Sequence, residues 1–302
     1  MFWRTGKFDD GKSYAQQALD LSRDLSVREI EIRSLSRLGY LAFETGDYTN
    51  AEDFYQKGLS LAEEHSDDVG LTMLNNNYGI LAATQGDLDK AKERFQASLE
   101  FSERHDWKYR VASSLINIGG IVGMQGDLNA SVSNFERALV MARSIGDRRG
   151  MIEALDNLGF VAQLREDYKS ALQYFEESLG LAETIGNRAA VPVVMRKLAL
   201  VFEKMGDTET TQEYLTNAVH QANEIQAIPV TLDALADLAR IDADAEQAVQ
   251  WASFILSHDA ARQEATKTAT AVIEKWAKKL DEDTLKQYKE SASELTFDTL
   301  LD

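Results

Sequence analysis

Cysteine is absent from this chain and proline occurs only twice, at Pro192 and Pro229. The first absence excludes disulfides and thiolate metal sites. The second leaves nearly the whole chain free to be helix, since proline removes a backbone donor and breaks helices from within. Histidine is scarce too, at four residues in 302. No apolar run approaches the roughly 20 residues that a membrane-spanning helix needs, and the start has no basic segment leading into an apolar core, as a secretory signal would. A cytoplasmic setting is expected. Positive charge is in deficit: 32 Lys and Arg stand against 50 Asp and Glu, a formal net charge of −18. That field repels phosphate backbones and anionic lipid, so neither nucleic acid nor a membrane is an expected partner. What the chain does have is 44% hydrophobic residues, enough to bury a core.

Its glycines are periodic. Gly6, Gly46, Gly86, Gly126 and Gly206 recur at multiples of 40 residues, Glu166 fills the vacant place, and Asp47, Asp87, Asp127, Asp167 and Asp207 follow directly. A glycine closing one helix in the left-handed region, then an aspartate capping the next, marks a tight helix–turn–helix. In the same phase, Gly39, Gly79, Gly119, Gly159 and Ala199 put a small residue before each turn, where two helices must approach closely. After the turn come Ala51, Ala91, Ser131, Ala171 and Thr211, and four residues later Tyr55, Phe95, Phe135, Phe175 and Leu215. Leu59, Leu99, Leu139, Leu179 and Val219 complete an i, i+4, i+8 apolar stripe. Each unit is thus two amphipathic helices whose apolar faces need a neighbouring unit for cover, the arrangement of a solenoid.

Small-x-x-small contacts on the first helix, Gly-Asp at the turn and Ala-x-x-x-Phe on the second resemble the tetratricopeptide repeat, over residues 1 to about 256. The resemblance implies an all-α, right-handed superhelical array of about six helical pairs, with a half pair in front and a C-terminal helical cap over residues 257–302. The usual repeat has 34 residues. The additional six are expected in the second helix and its exit loop, and the tryptophan common early in the first helix is replaced by Leu35, Asn75, Leu115, Leu155 and Met195. In its 40-residue, maltose-activator-like form, the stretch "ARSIGDRRGMIEALDNLGFVAQLREDYKSALQYFEESLGLAETIGNRAA" resembles the repeat arms of bacterial signal-transduction ATPases with numerous domains. Polarity adaptors and kinesin light chains carry similar repeats, so a sensing arm and a free-standing adaptor or scaffold are both open. The last unit departs from the pattern. Ala239 to Ala248 spans nine residues where Gly39 to Ala51 spans twelve, which places a shortened turn there, followed by helices near 262–279, 282–293 and 296–301 with Trp276 and Leu280 packed inward.

Chemistry is hard to find. His65 and His105 stand 40 apart, where Ile145, Ile185 and Ile225 take the same place, so they are expected at the ends of second helices. No pair of histidines has metal spacing on one helix, and no glycine loop is built for phosphate. Neither an enzyme nor a cofactor is implied. The resemblance points instead to a concave groove for a protein or peptide. Such arrays line it with places two, five, six, nine, twelve and thirteen of the first helix, the small residue counting as eighth. Place six reads Arg37, Asn77, Asn117, Asn157, Lys197 and Asp237. The three successive asparagines form a ladder whose amides can both donate to and accept from a peptide backbone. The same count adds Arg33, Asn76, Arg196 and Lys204, with Tyr40, Ile80 and Phe160 among the apolar members and Glu153 and Asp156 between the basic ends. Phe43, Ile116, Leu164 and Leu200 also fall in the count and could equally belong to the core. Finally, "MFWRTGKFDD" aligns with "LAFETGDYTN" at 41–50, so the chain begins in mid-unit. An uncovered apolar edge through Phe8, Ala15 and Leu19 is therefore expected, closed by preceding chain or by self-association at the N-terminal end.

Overall fold

A computed structural model describes residues 8–242 and 244–300. They form fifteen α-helices, and no strand occurs among the described residues. The chain divides into two compact units, residues 1–161 and 162–302. Trp3, Thr5 and Gly6, on which the mid-unit start was argued, lie outside the described residues.

The first unit contains α1 (Phe8–Asp24), α2 (Arg28–Glu44), α3 (Tyr48–Glu64), α4 (Asp68–Thr84), α5 (Leu88–Arg104), α6 (Lys108–Met124) and α7 (Leu128–Ile145). The division falls within α8 (Arg148–Leu164). From α1 to α6 every helix has 17 residues and every link three. The 40-residue period is therefore two equal halves of 20, rather than a lengthened second helix and exit loop. One backbone device makes each link. At the first Gly-Asp turn the Gly46 N–H donates to the Phe43 carbonyl (3.0 Å) and the Asp47 N–H to the Ala42 carbonyl (2.8 Å), the paired bonds that close a helix on a left-handed residue. The Asp47 side chain then accepts from the Asn50 N–H and caps the next helix. Left-handed residues recur every 20 positions in this unit, at Ser26, Gly46, Ser66, Gly86, Asp106, Gly126 and Gly146. Three of these seven, at Ser26, Ser66 and Asp106, carry no glycine and were not foreseen.

Between the helices of a pair, small meets large. A Cβ added at Gly39 would lie 2.4 Å from the Tyr55 ring, and one at Gly79 or Gly119 would lie 2.6 Å from Phe95 or Phe135. Tyr55, Phe95 and Phe135 are all buried, so the glycine is the space that the ring occupies. At the front edge, Ala15 and Leu19 are buried against Leu35, Leu38 and Leu41 of α2 instead of forming the open edge. Tyr14 (59%) and Leu21 (58%) of α1 and Leu25 (64%) just after it are exposed, whereas Leu61, 40 residues after Leu21, packs against the core. Phe8's side chain lies outside the described set.

The second unit contains α9 (Tyr168–Thr184), α10 (Val191–Met205), α11 (Thr208–Glu224), α12 (Ile228–Ile241), α13 (Ala245–Leu256), α14 (Gln263–Ala277) and α15 (Glu282–Ser291). Glu166 takes the left-handed conformation in the place of the missing glycine, with φ 59°. Pro192 and Pro229 sit in the first turns of α10 and α12, where the absent N–H has no helical partner in any case. The contraction before Ala248 lies in the helix: α12 has 14 residues, and the link to α13 still spans three. A short 3₁₀ turn at Ala292–Glu294 follows α15, and residues 297–300 form a turn where a helix was expected. Tertiary contacts capture its carbonyls. Trp251 Nε1 donates to Leu300 O (2.7 Å) and Asn223 Nδ2 to Phe297 O (2.8 Å), while the Phe297 ring meets Phe254 edge-on. Trp276 and Leu280 are only half-buried. No described helix is long and apolar enough to cross a membrane.

Candidate binding face

In the first unit the first helices of successive pairs, α2, α4 and α6, share a face with two adjoining concavities. One, of about 460 Å³, is lined by Ile30, Arg33, Arg37, Tyr40, Met73 and Asn77 among others. The second, of about 300 Å³, is lined by Met73, Asn76, Asn77, Tyr109, Arg110 and Ser113 among others. Met73 and Asn77 belong to both. The structure thus brings together five residues named from the sequence, Arg33, Arg37, Tyr40, Asn76 and Asn77. Ile80 and Phe160 are exposed on α4 and α8 outside these linings, and Ile116 is buried in the core.

The asparagine ladder has an internal grammar. Asn77 Nδ2 donates to Ser36 Oγ (3.1 Å), and Asn117 Nδ2 donates to Asn76 Oδ1 (2.9 Å). Both bonds span 41 residues and join place six of one repeat to place five of the repeat before it. At Asn157 the corresponding place five is Ile116, which has no polar atom to offer, and Asn157 Nδ2 turns to the Glu153 carbonyl of its own helix (2.8 Å). Two of the three asparagines therefore stitch neighbouring repeats, a role that the helix-face reading alone did not assign. With one N–H used this way, the amide is held in a defined orientation.

Charge on this face is uneven. Arg33 pairs with Glu29 one turn back on its own helix. Arg110 lies over the Trp107 ring at 5.2 Å and donates to the Val69 carbonyl at 3.4 Å. Burial, together with the charge of Arg33, pulls the Arg110 guanidinium below its ordinary value, with Asp67 opposing. Burial and a hydrogen bond to Glu44 push the Tyr40 phenol up. His65 and His105 are the C-cap residues directly after α3 and α5, at the helix ends as expected, and His105 Nε2 lies 2.5 Å from Asp68 Oδ2 while its ring stacks on Trp107.

In the second unit the same register is filled by ion pairs. Arg196 Nε donates to Asp237 Oδ2 (2.6 Å), again place five to place six across 41 residues, and Arg196 also reaches Glu264 at the start of α14 (3.7 Å). Arg262 meets the buried Asp233 at 2.6 Å, and Arg240 binds Glu203 and Asp237. Of the basic residues named for the groove here, Arg196 is thus engaged beneath α14. The Lys197 Nζ stands 5.8 Å from the Phe175 ring centroid, and Lys204 is exposed in the last turn of α10.

Residues 1–64 and 110–184 match the tetratricopeptide repeat family. The fold is that of a tetratricopeptide-repeat array. No curated protein matches the chain. Among solved structures it is similar to aspartyl phosphate phosphatase F from Bacillus subtilis, with a TM-score of 0.68 and 14% identity over 92% of this chain and 75% of that one. It is also similar to a Rap conjugation gene regulator of the plasmid pLS20 solved in complex with the Phr* peptide, with a TM-score of 0.63 and 16% identity over 90% and 75%. A third is a signal transduction ATPase with numerous domains carrying a tetratricopeptide repeat sensor, from Pyrococcus horikoshii, with a TM-score of 0.65 and 16% identity. There 96% of this chain corresponds to 47% of the other.

The tetratricopeptide count missed two lining residues that matter, Tyr109 and Arg110. Met73 stands at place two, in line with Arg33, and the count already contained it. Tyr109 and Arg110 lie one turn earlier than the counted places. Their signal is Tyr109 itself, a tyrosine 66% exposed in the first turn of a first helix, where the structure shows the face continuing.

Proposed function

We propose that this chain is a non-catalytic module that binds a protein or peptide on the first-helix face of α2, α4 and α6. The observation that carries the reading is the pair of concavities joined at Met73 and Asn77, with amide, guanidinium, phenol and thioether groups along one continuous wall. An extended peptide laid across this wall meets backbone partners at Asn76 and Asn77 and side-chain space on either side of Met73. A photo-crosslinking residue at Ile80, on this face, should capture a bound peptide, and the same residue at the exposed Val140 of α7 should not. Capture from Val140 alone would place binding on the second helices and sink the reading.

In its fuller form the module is the sensing arm of a larger bacterial regulator whose other parts carry an ATPase. The support is the correspondence of nearly all of this chain to about half of the Pyrococcus horikoshii protein. The second reading, a free-standing adaptor, draws on relatives such as the Rap regulator, three-quarters of whose chain this one matches. A nucleotide-binding motif encoded upstream in the same polypeptide decides for the arm, and a start codon with no such motif before it decides for the adaptor.

A further inference from the structure

We infer that the ligand of this face is an acidic peptide, in which carboxylates flanking one apolar side chain meet Arg33 and Arg37 on α2 and Arg110 on α6 while the apolar side chain enters at Met73. The inference rests on the peptide-binding reading above and names its chemistry. Across the whole sequence acids outnumber bases by 50 to 32, yet the linings of the two adjoining concavities contain three arginines and no aspartate or glutamate. Acids flank these groups without entering either lining. Glu29 holds Arg33 in an exposed ion pair along the helix, Asp67 caps α4 near Arg110, and Glu44 bonds Tyr40. An exposed pair of the Glu29 type contributes little and is readily exchanged for a ligand carboxylate that brings bidentate geometry.

Arg110 strengthens the case. Its guanidinium is half-buried and electrostatically opposed by Arg33, so an anion placed between them relieves a repulsion already present in the free protein. The aromatic and aliphatic members, Tyr40, Tyr109 and Met73, favour an apolar side chain between the charges, and Met73 is the residue that both concavities share. The same register turns acidic on α8, at Glu153 and Asp156, so the ligand's negative charges belong at the α2–α6 end of the face.

The experiment is selection of a random dodecapeptide library on the immobilised full chain, with the recovered peptides then measured by fluorescence polarisation. Recovered peptides should be rich in Asp and Glu around one large apolar residue. Changing those acids to Asn and Gln should weaken binding to the parent protein about tenfold or more per well-placed carboxylate, as should Arg33→Gln, Arg37→Gln and Arg110→Gln in the protein. Affinity should fall as salt rises. The peptide changes are read on unaltered protein, so a variant that folds poorly does not remove the test. Neutral or basic peptides whose binding is lost with Met73→Ala and Tyr109→Ala would overturn the acidic ligand and leave a peptide-binding face. Binding indifferent to every substitution on the face, or no selectable peptide at all, would overturn the peptide reading itself.

Discussion

Two adjacent glycines in α6 should respond in opposite directions to the same substitution. Gly119 and Gly120 are both interior helical positions, so Ala at either raises helix propensity by about 1 kcal/mol. Around Gly120 an added Cβ meets nothing within 4 Å. At Gly119 it would lie 2.6, 2.8 and 3.0 Å from Cε1, Cδ1 and Cζ of Phe135, a ring 2% exposed with nowhere to retreat. Overpacking of that kind costs about 1–3 kcal/mol. The propensity gain is common to both variants and cancels in their difference. Gly119→Ala should therefore be about 1–3 kcal/mol less stable than Gly120→Ala, with Gly120→Ala above the parent and Gly119→Ala level with it or as much as about 2 kcal/mol below. Urea titration reads the difference, and hydrogen exchange should place the loss in α6 and α7, since contacts in a repeat array are nearest-neighbour. A second step closes the cycle. Phe135→Leu should lose less stability in the Gly119→Ala background than in the parent, by a coupling of about 0.5–3 kcal/mol, because Ala with Leu is the pair that the chain itself uses at Ala199 and Leu215. If Gly119→Ala is stabilised as much as Gly120→Ala, or if the two changes at 119 and 135 simply add, the small-against-large account of this interface is wrong.

The ladder gives a second contrast. Asn117→Ala removes the bond to Asn76 and should cost up to about 1 kcal/mol net of propensity, while Asn157→Ala, facing Ile116, should be neutral or slightly stabilising, both by thermal melting. Hydrogen bonds from Lys90 of α5 and Tyr78 of α4 hold the Glu52 carboxyl of α3 below its ordinary range. A depressed folded value means stability present above the unfolded pKa and lost as pH falls through the folded one, so the penalty of Glu52→Gln should be full at pH 7 and fade below about pH 4, by urea titration across pH. At the front edge, Leu21→Glu together with Leu25→Glu should abolish any concentration-dependent association seen by sedimentation. An association unchanged by these substitutions would clear the α1 face of that role.

What the sequence by itself determined is whatever recurs at a fixed offset. The 40-residue period, the Gly-Asp links, the pairing of Gly39, Gly79 and Gly119 with the rings sixteen residues on, and the first-helix face with Arg33, Arg37, Tyr40, Asn76 and Asn77 were all legible there. In a repeat array a tertiary contact returns at the same spacing in every unit, so packing writes itself into the primary structure. Even the five-to-six stitch was present as Ser36 with Asn77, Asn76 with Asn117 and Arg196 with Asp237, although only the structure showed that the side chains meet. The left-handed links at Ser26, Ser66 and Asp106 escaped notice because short polar residues tolerate that conformation without announcing it as glycine does. Where the period breaks, tertiary structure alone decided. The loss of three residues came out of α12, because its link to α13 kept the same length as the others. Arg196 was drawn into pairs with Asp237 and Glu264 when α14 packed on α12. Residues 297–300 gave up helix for bonds to Trp251 and Asn223, side chains 49 and 74 residues away. Such contacts join segments that occur once each, and a contact made once leaves no spacing in the sequence from which it could be read.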